Sequence, residues 1–223
     1  MKSSLEEEKW KKFLKAVGLF RFVPFTDFVM ASGSLATGTL RESSDFDVLI
    51  GVRQGRIFTN RFFAVLIFGI TGNFKHNMHE RGVAKDMICL NHFVTPKAYK
   101  FSPPYTDYDQ EIYQNLILVF GDEEKAKEFI KANDWLNPKK IYERSDKYLG
   151  NRRTFLRRFI EFLLDGSFGN LLEELKFIQI KTIHRGSLLK ISEGARFKCD
   201  ENELEFHIGS ARTIKKWKER KMG

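Results

Sequence analysis

The chain has 223 residues, of which 42% are hydrophobic and 30% are charged, and its formal net charge is +9. The two cysteines, Cys89 and Cys199, lie far apart, which excludes a disulfide framework and a zinc-ligand spacing. The longest apolar run, residues 62–70, is far shorter than the roughly 20 residues that a membrane-spanning helix needs. We therefore expect a globular cytoplasmic protein without a membrane partner, whose basic excess favours a polyanion.

The first part of the chain alternates predicted helices with short predicted strands. Residues 4–17 carry apolar side chains at helical spacing, and residues 60–70 are apolar enough for a buried helix. Strands are predicted at residues 25–31, 46–52 and 86–94, which are β-rich runs bounded by polar or turn-forming residues. This order predicts an α/β fold with a small mixed sheet flanked by helices.

A predicted domain boundary follows the next two elements. A short strand is predicted at residues 116–120, and a capped helix at residues 122–135 that is acidic at its start. The Asn137-Pro138 pair breaks that helix. We therefore divide the chain into a domain of residues 1–137 and a basic, mostly helical domain of residues 139–223. The helices expected in the second domain cover residues 140–165, 169–184 and 206–221.

A polar motif connects the first two predicted strands. Gly33 allows the backbone to approach phosphate oxygens without a Cβ in the way, and Ser34 adds a hydroxyl donor beside free backbone N–H groups. Asp45 and Asp47 are two residues apart at the start of a strand, so both carboxylates lie on one face of the sheet. Such a pair suits hard divalent cations, which prefer oxygen ligands. The motif therefore predicts a metal-assisted phosphate site.

A third carboxylate would complete such a site from a neighbouring strand. Asp86, at the start of the predicted third strand, is the best candidate for a metal ligand that also accepts a proton. The alternative is an acid that pairs with Lys85, and Asp107 and Asp109 are weaker candidates. His92, further along that strand, is expected to be a satisfied, half-buried residue rather than a catalytic base.

These residues carry a resemblance to a known superfamily. Their pattern, GSxxxGxxxxxSDxD, resembles the signature of the DNA polymerase β-like nucleotidyltransferases, which include poly(A) polymerases, CCA-adding enzymes and minimal nucleotidyltransferases. Six residue types are fixed, so a chance match is on the order of 10⁻⁷ per starting position. The matching positions are Gly33, Ser34, Gly38, Ser44, Asp45 and Asp47.

The resemblance implies roles for these positions. It covers residues 5–95 and extends loosely to 137, which makes residues 1–137 a nucleotidyltransferase catalytic domain. Gly33, Ser34, Gly38 and Ser44 would bind the nucleoside triphosphate. Mg²⁺ or Mn²⁺ would be held by the three acids, and these are also the implied catalytic residues: Asp45, Asp47 and Asp86. One departure is Thr37, where many minimal members have arginine.

Basic residues in the second domain suggest a nucleic-acid contact. Residues 151–165 combine basic pairs with an apolar stripe, and residues 214–221 surround a tryptophan with cations. A solvated charged face is the alternative. The polar connector at residues 72–85 could also line the mouth of the site. The predicted contact residues are Arg152, Arg153, Arg157, Arg158, Lys215, Lys216 and Trp217.

Three functional hypotheses follow. The first is transfer of a nucleoside monophosphate from an NTP to a hydroxyl group, with release of pyrophosphate. The acceptor in this hypothesis is the 3′ end of a nucleic acid, with RNA such as tRNA preferred to DNA. The second keeps this chemistry but modifies a protein or a small molecule. The third is an inert nucleotide-binding or RNA-binding module.

Overall fold

The computed structural model describes residues 2–74, 85–101, 107–133, 145–175 and 196–207. The helices are α1 (Lys2–Val17), α2 (Gly33–Ala36), α3 (Ile57–Ile70), α4 (Asp107–Gln114), α5 (Glu123–Ala132), α6 (Phe155–Leu163) and α7 (167–175). The strands are β1 (Thr26–Ala31), β2 (Phe46–Val52), β3 (Ile88–Val94), β4 (Ile117–Gly121), β5 (Arg196–Cys199) and β6 (Glu203–His207). None of the helices described is long and apolar enough to cross a membrane.

The strands of the described residues form one mixed sheet in the order β4-β1-β2-β3-β6-β5. Strands β2 and β3 are parallel, and the other neighbouring pairs are antiparallel. A parallel pair needs a crossover connection, and α3 lies in the one between β2 and β3. The predicted fold class, a small mixed sheet flanked by helices, is confirmed.

Each face of the sheet is covered by a separate apolar cluster. On one face, α1 and α3 bury side chains such as Phe13 and Phe68 against β1, β2 and β3. On the other face, α4 and α5 contribute Tyr113 and Phe129 to a second cluster, in which the Phe129 ring packs on Phe28 of β1. Burial on both faces explains why the central strands are nearly continuous apolar runs rather than alternating ones. Apart from their polar ends, β1 and β2 therefore lie in the core.

The described part of the C-terminal half differs from the sequence-based expectation. Its strands extend the same sheet, since β6 pairs with β3 and β5 pairs with β6, and α6 begins only at Phe155. Thr154 caps that helix by accepting a hydrogen bond from the backbone N–H of Arg157, and Gly150 upstream has φ +85°, which helical residues do not adopt. Phe206, predicted to start a helix, lies in β6. The predicted domain boundary at residues 137–139 lies outside the described residues.

A buried ion pair fixes the orientation of α6. The Arg157 guanidinium is 1% exposed and donates from Nε to Glu161 Oε1 at 2.8 Å and from Nη2 to the carbonyl oxygen of Thr26 at 2.6 Å. Glu161 accepts a further hydrogen bond from the backbone N–H of Phe25, which has a left-handed φ of 62°. Burial alone would raise the pKa of Glu161, but these partners hold it below its ordinary value. The polar side of α6 therefore faces the sheet.

Replacing one member of this pair should destabilise the protein strongly. We expect Glu161→Leu to lower the free energy of unfolding by about 3 kcal/mol, because it leaves the Arg157 guanidinium buried without its carboxylate. The double variant Arg157→Met/Glu161→Leu should be more stable than Glu161→Leu alone. Urea unfolding of the full chain measures both effects. The control is Arg158→Gln on the exposed side of the same helix, with an expected change within about 0.5 kcal/mol; equal effects at positions 158 and 161 would contradict the assignment.

Candidate metal and nucleotide site

The parallel pairing of β2 and β3 brings three ligand-type side chains together. Asp47 of β2 lies in register with Cys89 of β3, and Asp45 precedes β2 by one residue. One ligand atom of each of these three residues lies within 4.8 Å of the others. The two carboxylates are half-buried and the cysteine is buried. The sequence predicts that Asp45 and Asp47 lie on one face of the sheet, and in the structure their carboxylates lie beside each other. Cys89 is their third neighbour.

Gly33 packs directly against the Asp47 carboxylate. Its φ is +61°, and a Cβ built at this position would lie 2.3 Å from Asp47 Oδ2. The backbone N–H of Ser32 donates to the carbonyl oxygen of Asp47 at 3.0 Å, which ties the end of β1 to β2. Only glycine therefore permits both the left-handed turn and this approach. The space that a Cβ would fill at Gly33 is thus occupied by the Asp47 carboxylate, and access of phosphate oxygens to the Gly33 backbone stays a prediction.

Hydrogen bonds within the motif order the connection from α2 to β2. The helix α2 is a single turn, and Ser34 is half-buried in it. The Thr37 hydroxyl donates to the carbonyl oxygen of Gly33 at 3.1 Å, and Gly38 has φ +68° in open space. Ser44 closes the following turn, since its Oγ accepts a hydrogen bond from the backbone N–H of Arg41 at 2.9 Å. The connection is therefore an ordered segment held by its own hydrogen bonds, and Gly33 at its start contacts Asp47.

A buried lysine of α1 holds the end of this connection. Lys9, 1% exposed, donates from Nζ to the carbonyl oxygens of Glu42 at 2.6 Å and Ser44 at 3.0 Å. Its ammonium group also lies 2.7 Å from Asp86 Oδ1, and Lys12 donates to Asp86 Oδ2 at 2.8 Å. The carboxylate of Asp86 thus neutralises a buried cation next to the motif.

Asp86 is accordingly not a member of the group formed by Asp45, Asp47 and Cys89. Its φ of 64° and the two lysines of α1 direct its carboxylate towards that helix. Partial burial would raise the pKa of Asp86, but the hydrogen bonds from Lys12 and Lys9 outweigh it and hold the pKa below its ordinary value. The alternative partner considered for Asp86, Lys85, instead pairs with Glu42 at 2.7 Å.

The remaining predicted residues lie elsewhere. Asp107 and Asp109, the weaker candidates for a third carboxylate, are on α4 and outside the three-residue group. Among the predicted nucleic-acid contacts, Arg152 and Arg158 are exposed and Arg153 is half-buried, 3.8 Å from Glu161. Arg157 is buried in its ion pair with Glu161, so the prediction that it contacts nucleic acid is corrected. Lys215, Lys216 and Trp217, like most of the connector at 72–85, lie outside the described residues.

A second buried polar cluster surrounds His92. The ring contacts Glu203 through Nε2 at 3.2 Å and the Tyr113 hydroxyl through Nδ1 at 3.1 Å, and it stacks on Phe101. Glu203 also accepts from Lys198 Nζ at 2.6 Å. Burial would raise the pKa of Glu203, but His92 and Lys198 hold it below its ordinary value. Both ring nitrogens are thus engaged, as expected for a satisfied residue, although His92 is buried rather than half-buried.

Cys89 is the site residue that sequence reasoning missed. Its only signal was its place near the start of a strand expected beside the aspartates, and the register of a parallel pair cannot be read from one sequence. A thiolate is a soft ligand, whereas carboxylates suit hard cations. The group therefore offers two oxygen ligands of the kind that Mg²⁺ and Mn²⁺ prefer, with sulfur at the third position.

Comparison of the chain with protein-family models, curated proteins and solved structures finds no match.

Substitution of Gly33 should be more harmful than substitution of Gly38. Both glycines have a left-handed φ, so alanine at Gly38, in open space, should cost about 1 kcal/mol of stability. Gly33→Ala should cost about 2–3 kcal/mol because its Cβ also collides with Asp47. Thermal or urea unfolding of both variants provides the comparison. Much of the additional loss of stability in Gly33→Ala should disappear when the substitution is made in an Asp47→Ala background. If that additional loss is unchanged, the Asp47 side chain is not what the Cβ collides with.

Removing the Asp86 carboxylate should reduce stability in a pH-dependent way. Because the folded-state pKa of Asp86 is lowered, its contribution is complete above the ordinary pKa and is lost as pH falls through the folded value. Asp86→Asn should therefore be less stable than the wild type by about 2 kcal/mol at neutral pH. This stability difference should begin to shrink only when the pH falls below about 4. Urea titrations at a series of pH values measure it. Glu42→Gln, which removes an exposed ion pair, is the control. A stability difference for Asp86→Asn that does not depend on pH would contradict the pairing of Asp86 with Lys9 and Lys12.

Proposed function

We propose that the chain is a metal-dependent nucleotidyltransferase that transfers a nucleoside monophosphate from an NTP to a hydroxyl acceptor and releases pyrophosphate. The observation that carries this proposal is the contact between Gly33 and the Asp47 carboxylate, with Asp45 beside it. At one end of β2, the turn that carries Gly33 and Ser34 is thereby packed against a pair of carboxylates suited to divalent cations.

The donor set fits Mg²⁺ or Mn²⁺. Asp45 and Asp47 would supply carboxylate oxygens, and water and the triphosphate would supply the remaining ligands, as is usual for Mg²⁺ in nucleotide sites. When bound, the metal neutralises charge on the phosphate groups during the transfer. The motif residues Gly33, Ser34, Gly38 and Ser44 would hold the triphosphate, as the resemblance implies.

A nucleic acid, RNA in preference to DNA, is the proposed acceptor. The net charge of +9 supports a polyanion, and the exposed guanidinium groups of Arg152 and Arg158 remain available to one. Modification of a protein or a small molecule is the second candidate, because the same donor site would serve either acceptor. The two differ only in the molecule that carries the hydroxyl.

One observation favours the third hypothesis, an inert nucleotide-binding module. A general base near the metal ligands would accept the proton of the attacking hydroxyl, and Asp86 was the expected residue. Its carboxylate is instead paired with Lys9 and Lys12. Intact Asp45 and Asp47 support turnover, so transfer and binding have to be separated by experiment.

Transfer of label from NTPs tests the proposal directly. The full chain would be incubated with Mg²⁺ or Mn²⁺, NTPs labelled on the α-phosphate, and RNA primers, DNA primers, proteins or cell metabolites in separate reactions. We expect label to appear on RNA, and Asp45→Ala/Asp47→Ala should lower the rate by on the order of 10³-fold or more. Asp86→Asn should lower it far less, because that residue stabilises the loop rather than holding the metal. Asp165→Ala, a carboxylate exposed on the surface, is the matched control.

Other outcomes assign the alternatives. Label on protein or metabolites, with none on either primer, would replace the nucleic-acid acceptor by the second candidate. Calorimetric NTP binding without transfer to any acceptor would overturn the proposed activity and establish the inert module. Activity that survives loss of both aspartates would remove them from the site.

A further inference from the structure

His92 and two glutamates of β6 form a buried group on one face of the sheet. His92 of β3 lies opposite Glu205 in the antiparallel pair of β3 and β6, so these two side chains share a face. Glu203 is two residues before Glu205 on β6 and projects from the same face. One ligand atom of each residue lies within 4.8 Å of the others, and all three residues are buried. The group shares no residue with the candidate metal and nucleotide site.

Two aromatic side chains fix the His92 ring with one nitrogen directed at a carboxylate. The Tyr113 hydroxyl lies 3.1 Å from Nδ1, the ring stacks on Phe101, and Nε2 lies 3.2 Å from Glu203 Oε1. A metal-binding histidine almost always has its second ring nitrogen in such a hydrogen bond, which sets the tautomer. With Nδ1–H donating to the Tyr113 oxygen, Nε2 would present its lone pair to a cation shared with Glu203.

The spacing and the charge of the group suit such a cation. Two ligands of a tetrahedral Zn²⁺ ion, at bond lengths of about 2.0–2.1 Å, lie about 3.3 Å apart, close to the 3.2 Å between His92 Nε2 and Glu203 Oε1. Two carboxylates this close in the protein interior repel each other, and a cation between them removes that repulsion. Lys198 donates to Oε2 of Glu203 at 2.6 Å, which leaves its contact with the ring to Oε1. Ligating carboxylates commonly have such an outer hydrogen-bond donor.

The ligand types indicate zinc rather than magnesium. Imidazole nitrogen with carboxylate oxygen is a usual ligand set for Zn²⁺, which takes water at a fourth position, whereas Mg²⁺ prefers oxygen alone. We propose that His92, Glu203 and Glu205 form a zinc site that joins β6 to β3. Since His92 and Glu203 are 111 residues apart, the ion would link the β5–β6 hairpin to the first half of the chain. No local spacing in the sequence shows such a site.

Metal titration of the full chain tests this proposal. After treatment with a chelator, the chain should bind Zn²⁺ in calorimetry, and Zn²⁺ should raise the thermal midpoint more than Mg²⁺ does. Asp45→Ala/Asp47→Ala, which removes the carboxylates of the other site, should still bind Zn²⁺. Glu205→Gln, which retains the size of the side chain, should lower the zinc affinity by on the order of 10²-fold or more. Glu201→Gln, an exposed carboxylate in the same hairpin, is the matched control and should bind Zn²⁺ like the wild type.

Two further measurements do not depend on whether Glu205→Gln folds. Tyr113→Phe retains the aromatic ring but loses the hydroxyl beside Nδ1, so the zinc affinity should fall by roughly 10-fold. Co²⁺ bound in place of Zn²⁺ to Asp45→Ala/Asp47→Ala should give visible d–d bands without a thiolate charge-transfer band.

Four results would each overturn the proposal. They are the absence of zinc binding in Asp45→Ala/Asp47→Ala, a thiolate band in the cobalt spectrum of that variant, an unchanged zinc affinity in Tyr113→Phe, and a folded Glu205→Gln chain that binds zinc like the wild type.

Discussion

A single buried ammonium group links the first helix to the motif on which the proposed chemistry depends. Lys9 contacts the turn that leads into β2 through the carbonyl oxygens of Glu42 and Ser44, directly before Asp45. Burying this cation without a counter-charge would cost several kcal/mol, and the Asp86 carboxylate supplies that charge. The position of Asp45 and Asp47 thus depends on Asp86, whose carboxylate pairs with Lys9 and Lys12.

This division of labour bears on how the site would work. The group in the structure contains two carboxylates and a thiol, whereas the resemblance implies three carboxylates. All the glycine and aspartate positions of the sequence motif are nevertheless present. The Gly33 backbone lies so close to Asp47 that the turn after β1 and the start of β2 are packed as one unit. Binding of a metal–nucleotide complex would therefore engage both at once.

The C-terminal half combines two requirements in short helices. The polar side of α6 is needed inside, where Arg157 and Glu161 satisfy backbone groups at the irregular start of β1. Its apolar side is consequently directed outward, which reverses the usual arrangement of an amphipathic surface helix. The same holds for α7, whose Glu173 accepts hydrogen bonds from two backbone N–H groups at the start of α3. An outward apolar face is the consequence of these internal contacts.

The sequence by itself determined the local elements and the motif. Apolar runs, caps and glycines depend on neighbours within a few residues, so β1, β2, β3, α3 and α5 were predicted to within a few residues, as was the shared face of Asp45 and Asp47. Tertiary structure decided everything that depends on distant partners. Three features join residues that are far apart in the chain: the parallel register that places Cys89 beside Asp47, the lysines that hold Asp86, and the buried side of α6. A local sequence pattern does not show which acid, or which face of a helix, such a distant partner will contact.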